Sequence, residues 1–345
     1  MVWKSIFVAC AAFGIGSMAA LYAAGPMLGQ GPVSPLAVSS AEVPLNRLDP
    51  AAIDVGALRY MGGIVLRSAN RQFGGISAIA WNEDCDRLLA VSDTGNWLIL
   101  APREAAEKLI GIGGAWIAPI LDPSGAAPRT KQQADAESLA VRGDDVFVGF
   151  EMDHRLQQYR KVSACRPESL AMSAVAIHRP QPIAQWPSNG GAEAAEAAGS
   201  RIFLLSESHP GTSGGRAAVR WTPETDQSLP FSYLPPDDMD PTGMAARDTG
   251  DTSSPMLVLH RRVSVLGGFV AVIAEADLAS ASAQSPASAR VLARLQSPLV
   301  VDNMEGITVR REGDRRFIYL VSDDNFNRFQ QTLLLKFELL DKRER

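Results

Sequence analysis

Eight carboxylates stand at two fixed places in a phrase that this chain repeats. Glu137, Glu193 and Glu305 open an apolar run, and Asp93, Glu151, Glu207, Asp323 and Asp324 close the apolar run that follows. If the two runs are neighbouring strands, the second returning to the end where the first began, all eight converge on one opening. Like charges gathered there repel unless they are protonated, matched by cations or bound to metal. Ligands that are all hard oxygens suit Ca²⁺ or Mg²⁺ rather than Zn²⁺. Basic groups follow the same run ends: His154 and Arg155 after Glu151, His209 after Glu207, Arg328 after Asp324, and His260, Arg261 and Arg262 in the fourth copy. An arginine fork matches phosphate and carboxylate geometry. A rim that is both acidic and basic is what a metal-assisted ester or phosphoester hydrolase needs. Plainer uses stand beside this one: Asp and Ser at strand ends cap turns, and each Arg can neutralise a neighbouring carboxylate.

A serine nucleophile is a weaker candidate. Residues 211–215 match G-x-S-x-G around Ser213. That motif works on a strand-to-helix elbow, whereas here it lies in a Gly-rich loop between two apolar runs. No phosphate-binding loop, zinc motif or dinucleotide fingerprint is visible.

The elements that must position these groups follow from the repeat. Its copies are anchored at Ser77, Glu137, Glu193, Thr242 and Glu305, at intervals of 60, 56, 49 and 63 residues. That period, with several short strands per unit, predicts a radial β array. The second copy shows four runs, ESLAVR, VFVGFE, RLQQYR and AMSAVAIHR, separated by turn residues. The fifth supplies only three, and the missing strand is available in LRYMGGIVLRSA at 58–69, ahead of the first copy. The expected fold is therefore an all-β propeller of five four-stranded blades, closed by that N-terminal strand. Six blades is the alternative count, and a pair of β-sandwiches the alternative fold. Two places conflict locally with a strand reading: AEAAEAAG from Ala192, which has a helical composition, and 102–109, which reads as a helical turn.

Composition bounds the partners. A hydrophobic fraction of 46% with 21% charged residues is that of a globular chain with a sizeable core. A net charge of −5, with no basic stripe, argues against nucleic acid. Residues 1–24 read as an export segment, either a signal peptide or a membrane anchor, and 25–57 as a Gly/Pro/Ser-rich tether before a propeller at 58–345. The expected location is periplasmic or secreted, with the membrane engaged only through an uncleaved N-terminus. Cys85 and Cys165 remain in the mature chain, either paired or free.

The phrases FGGISAIAW…LLAVSD, DAESLAV…FEMDHR, NGGAEA…LLSES, LVLHRRVSVLGGF and NMEGITV…IYLVSDDNFNRFQQTLLLKFEL resemble the phytase-like family, described as having esterase-like activity. The resemblance covers nearly the whole chain after about Leu58. It implies a propeller and suggests phosphoester or ester hydrolysis with a divalent cation, Ca²⁺ being expected. Asp93, Glu137, Glu151, Glu193, Glu207, Glu305, Asp323 and Asp324 fall on what look like the family's acidic motifs, and Arg261 and Arg262 on its basic one. The chain departs at Gly243, where an acid is expected after the proline, and at Ser77, which opens the first copy without one.

Two functions are in view. The first is an exported, cation-dependent hydrolase of small anionic or ester substrates, acting as a monomer. Glu137, Glu305, Asp323 and Asp324 lead its metal ligands, and His154, Arg155, Arg261 and Arg262 hold the anion. The second is a non-catalytic propeller that binds a small molecule, a glycan or an envelope protein.

Overall fold

A computed structural model describes residues 28–29, 31–248, 253–264 and 268–340. The chain forms five small sheets arranged as a five-bladed β-propeller. The inner strands are Ile76–Asn82, Ala136–Arg142, Ala192–Ala198, Asp240–Ala246 and Asn303–Glu312, and they pack against one another around the axis. Each is followed outward by antiparallel partners; in the second blade these are Asp145–Phe150, Arg155–Arg160 and Ala176–His178.

The fifth blade is built from both ends of the chain. Its own strands Arg315–Asp323 and Thr332–Leu339 are completed by Leu58–Arg67, which pairs from Thr332↔Leu66 to Leu339↔Leu58. Closure buries Leu58, Ile64 and Leu66 and covers an edge that would otherwise present unpaired backbone groups. Five blades thus replace both the six-blade count and the sandwich alternative. The core lies between the faces of adjacent blades, as where Leu257 and Leu259 of the fourth meet Ile307, Val309, Ile318 and Leu320 of the fifth.

Three local expectations are corrected. The supposed tether is part of the body from Ser34 onward: Ser34–Pro35 pairs with the first blade, and Ser39–Glu42 and Asp54–Val55 pair with the closing strand. Its polar composition conceals Leu36 and Leu45, which are buried and pin it down. The export segment at 1–24 lies outside the described residues. Residues 102–109 form a hairpin, not a helical turn. Asn96–Ala105 runs into Lys108–Pro119 through Ala106 and Glu107 at φ 47° and 66°, a two-residue turn whose twist suits the flanking strands. Ala192–Ala198 is a strand despite its helical composition, because both its edges are paired or packed at the crowded axis, where alanine lets neighbouring strands approach.

Cys85 and Cys165 form a disulfide between the first hairpin turn of blade one and a loop of blade two. No helix among the described residues is long and apolar enough to cross a membrane.

Candidate metal and substrate site at the channel rim

The five anchors of the sequence repeat share one backbone feature. In every inner strand the pairing with the second strand skips one residue: Ser77 between Ile76 and Ala78, Glu137 between Ala136 and Ser138, Glu193 between Ala192 and Ala194, Thr242 between Pro241 and Gly243, and Glu305 between Met304 and Gly306. Each anchor is the extra residue of a β-bulge. A bulge breaks the in-out alternation and re-aims one side chain, here at the same end of all five inner strands.

A second set stands beside the first. On strand two, the residue that follows the partner of the position just before the bulge is Asp93, Glu151, Glu207 and Asp323 in blades one, two, three and five, and Arg261 in blade four. The serine before it, Ser92, Ser206 or Ser322, is fully buried and holds the blade's own turn. Ser206 donates to Gly190 O at 2.7 Å and Ser322 to Gln331 O at 2.6 Å. The Ser-Asp phrase therefore divides its labour, with the hydroxyl bracing the turn and the acid facing the rim.

Loop glycines make room for these acids. A Cβ on Gly75, at φ +59°, would come within 1.9 Å of Asp93 Oδ1. The Gly191 amide donates to Glu151 Oε1 at 3.1 Å, and the Gly190 amide donates to the same oxygen. Asp324 is a brace: its Oδ1 accepts from the amides of Gly75 and Phe326 at 3.1 Å, and its Oδ2 from Thr332 Oγ1 at 3.1 Å, which ties blade five to blade one.

Charge is unevenly matched around the opening. Lys131 serves one side, with Nζ 2.7 Å from Asp93 Oδ2 and 2.5 Å from Asp135 Oδ1. Arg261 serves another, with one nitrogen 2.7 Å from Glu207 Oε1 and the other on Glu305 and Asn303. Burial opposes both cations, but the surrounding carboxylates outweigh it and hold them charged. Between these pairs stand Glu137, Glu151 and Glu193, which have no ion pair among the described residues, flanked by Asp135 on Lys131 and Glu207 on Arg261. Oxygens of Asp135, Glu137 and Glu151 lie within 4.8 Å of one another, and so do those of Glu151, Glu193 and Glu207.

The protonation equilibria record this crowding. Burial, with Glu193 and Asp135 beside it, pushes Glu137 well above the ordinary carboxyl range; burial with Glu151 and Glu207 does the same to Glu193. Burial with Asp93 and Glu305 raises Asp323. Burial raises Glu305 to about 7 although Arg261 opposes the rise. Asp93 is raised by burial against the pull of Lys131, and its Oδ1 is enclosed with no hydrogen-bond partner. Such a group of hard oxygens, short of positive charge, is suited to a divalent cation. Below the rim the channel closes: inner-strand residues including Ile79, Leu139, Met244 and Ile307 leave a cavity of only about 10 Å³, so the rim is a funnel with a floor.

The remaining candidates lie elsewhere. His154 is buried beside Gly191, with Nε2 against the carbonyls of Trp186 and Pro187 at 3.1 and 2.8 Å. Arg155 is buried over the Phe150 ring at 3.9 Å, bonded to Asp153 and to Gln133 O, in a groove between blades one and two. Arg262 alternates away from Arg261 along its strand and lies exposed near Asp237 O. Arg328 stacks on Phe329. His209 lies beside Trp186. His260 is enclosed between Tyr233 OH and Val272 O, and burial lowers it to about 4. Ser213 donates to Ala283 O at 2.6 Å in a hairpin loop, without the elbow a nucleophile needs. Gly243 admits no side chain at all, since a Cβ there would lie 2.5 Å from Glu305 O.

Sequence reasoning missed Lys131, Asp135 and Asn303. All three precede or open an inner strand, and Asp135-Ala-Glu137 spaces two acids so that both reach the rim.

A family described as "Phytase-like: Esterase-like activity of phytase" matches residues 71–326. None of the curated proteins matches. Among solved structures, the chain is similar to the glutaminyl cyclase of Myxococcus xanthus, with 10% identity, 78% of this chain and 92% of that one covered, and a TM-score of 0.43. A Thermus thermophilus protein described as an oxidoreductase (glucose dehydrogenase) shows 11% identity over 76% and 97% of the two chains, with a TM-score of 0.40. A chain of a nidogen/laminin complex shows 8% identity over 83% and 88%, with a TM-score of 0.38. The family match spans well over half of the sequence and takes in the inner strands and acidic rim of all five blades, so the chain belongs to the phytase-like family.

Proposed function

We propose that the protein is a divalent-cation-dependent hydrolase of phosphoesters or simple esters, acting at the rim of the propeller. The observation that carries this reading is the crowding of Glu137, Glu151 and Glu193, which have no ion pair among the described residues, with Asp135 and Glu207, each of which has a single cation beside it. Those five residues would hold the cation, and Ca²⁺ suits a flexible, all-oxygen, carboxylate-rich set better than a softer metal. A bound cation supplies Lewis acidity toward an ester or phosphoester oxygen. Arg261, partly open at the rim, orients the anionic part of the substrate while bonded to Glu207 and Glu305. Glu305, with a pKa of about 7, can hold or release a proton near neutrality, as a general acid or base requires. The closed floor keeps substrate at one face.

Export to an oxidising compartment fits the Cys85–Cys165 disulfide, and we extend the proposal to a periplasmic or secreted, monomeric protein. The test is hydrolysis of an aryl phosphate and an aryl ester by the folded protein with Ca²⁺ and with chelator. Phosphatase or esterase turnover that chelator abolishes supports the proposal. Chelator-insensitive ester cleavage overturns the metal requirement, and no turnover on either substrate favours a binding propeller.

A further inference from the structure

The groove that receives Arg155 is a site in its own right. It lies between blades one and two, has a volume of about 370 Å³ and is lined by three arginines, Arg129, Arg155 and Arg179, against two acids, Asp122 and Asp153. The two acids carry one charge fewer than the three arginines. Both oxygens of Asp153 are taken by Arg179, at 2.7 and 3.0 Å, and one of them also by Arg155 at 3.3 Å. Asp122 turns Oδ1 back into its own loop, accepting from Ser124 and Ala126. The side chain of Arg129 is exposed and has no ion pair among the described residues. The result is a locally positive groove in a chain of net charge −5.

Its walls add shape to the charge. Arg155 is held over the Phe150 ring with its fork fixed by Asp153 and Gln133 O, so its geometry is set before any ligand arrives. Exposed Ile177 supplies apolar wall beside the three guanidinium groups, with Phe150 and Ile120 buried behind it. The groove is distinct from the funnel. The short helix Lys131–Ala134 stands between them, sending Lys131 to Asp93 and Asp135 on the rim side and Gln133 to Arg155 on the groove side.

The geometry points to a second binding site, for a small organic oxyanion whose charged end meets Arg129 and Arg179 and whose apolar body lies along Ile177. Arginine forks recognise planar carboxylate and tetrahedral phosphate oxygens alike, and the volume suits a molecule of that size. The site needs neither the rim acids nor a metal, so it stands whether or not the funnel is catalytic.

Calorimetric titration of dialysed, metal-free protein with phenylphosphonate and with benzoate tests this. Saturable binding that weakens with salt is expected. The Arg129→Gln/Arg179→Gln double variant should weaken it by at least about tenfold, and Glu193→Gln in the funnel should leave it unchanged. A preference for phenylphosphonate identifies a phosphoryl ligand, and a preference for benzoate a carboxylate. Circular dichroism checks that the double variant folds. If it does not, Arg129→Gln alone, at an exposed position without an ion pair, must still weaken binding. No binding of either anion, equal affinity in the arginine variants, or loss in Glu193→Gln overturns the proposal.

Discussion

Arg261 occupies in the fourth blade the place that Glu207 occupies in the third, and the two meet at 2.7 Å. One of five equivalent strand ends has thus changed sign, and the guanidinium it brings also reaches Glu305 on the other side. The neighbouring inner-strand bulge of that blade is Thr242, a neutral residue whose hydroxyl donates to Met304 O. Blade four therefore interrupts the acidic ring. The surplus of negative charge is left in blades two and three.

Removing that interruption is expected to be costly. Arg261→Met leaves Glu207 and Glu305 facing each other, and a loss of about 2–3 kcal/mol is expected at pH 7.5 without added cation, below the cost of breaking a fully buried pair because the rim is partly open. Urea unfolding measures it. The loss should shrink at pH 5, where the carboxyls take up protons; equal stability of variant and parent at pH 7.5 contradicts the charge balance described above.

The pH dependence of stability has a definite sign. Glu305 titrates at about 7 in the folded protein and at its ordinary 4.5 when unfolded. Between those values the folded state holds a proton that the unfolded chain has lost, so stability falls as pH rises through this window and levels above about 7. Glu137, Glu193 and Asp323 are raised in the same direction. Carboxyls held low by partners, such as Asp153 and Glu275, lose their contribution only below their ordinary 3.8 and 4.5. The melting temperature in chelator should therefore be several degrees lower at pH 8 than at pH 5.5, with Ca²⁺ restoring it at pH 8. A melting temperature that rises with pH in chelator would count against it.

Gly75 couples backbone to site. Its φ of +59° and the 1.9 Å approach that a Cβ would make to Asp93 Oδ1 mean that Gly75→Ala must displace the acid or the loop. A loss of about 1–3 kcal/mol is expected. Turnover should fall further than the same change at Gly143, where φ is +58° but a Cβ would meet nothing. Equal effects at the two glycines would show that strain alone matters.

The disulfide closes a segment of 80 residues across two blades. Replacing Cys85 and Cys165 by alanine should cost about 2–4 kcal/mol, read from denaturant midpoints under non-reducing conditions. A midpoint unchanged from the parent contradicts this.

The repeat, the blade count and the closing strand were legible because a propeller writes its period and its unpaired edges into the order of apolar runs. The anchors Ser77, Glu137, Glu193, Thr242 and Glu305 were legible too, but not the reason they matter. A bulge is an event of pairing between two strands, and no residue type marks it. His154 and Arg155 were expected with Glu151 because they follow it closely. The turn after Glu151 instead sends the third strand away from the axis, carrying Arg155 toward blade one. Arg262 parts from Arg261 for a simpler reason, since adjacent strand residues point to opposite faces. Lys131 and Asp135 escaped notice because they sit in a connection between blades, where the repeat has no register.

Calorimetric titration of Ca²⁺ into the metal-free protein, beside Glu193→Gln, tests the central claim most directly. Saturable binding at millimolar concentration or tighter, the range of extracellular Ca²⁺ sites, and weaker by at least about tenfold in Glu193→Gln, is the result the acidic sector predicts. Absence of binding, or an affinity that Glu193→Gln leaves unchanged, would contradict it.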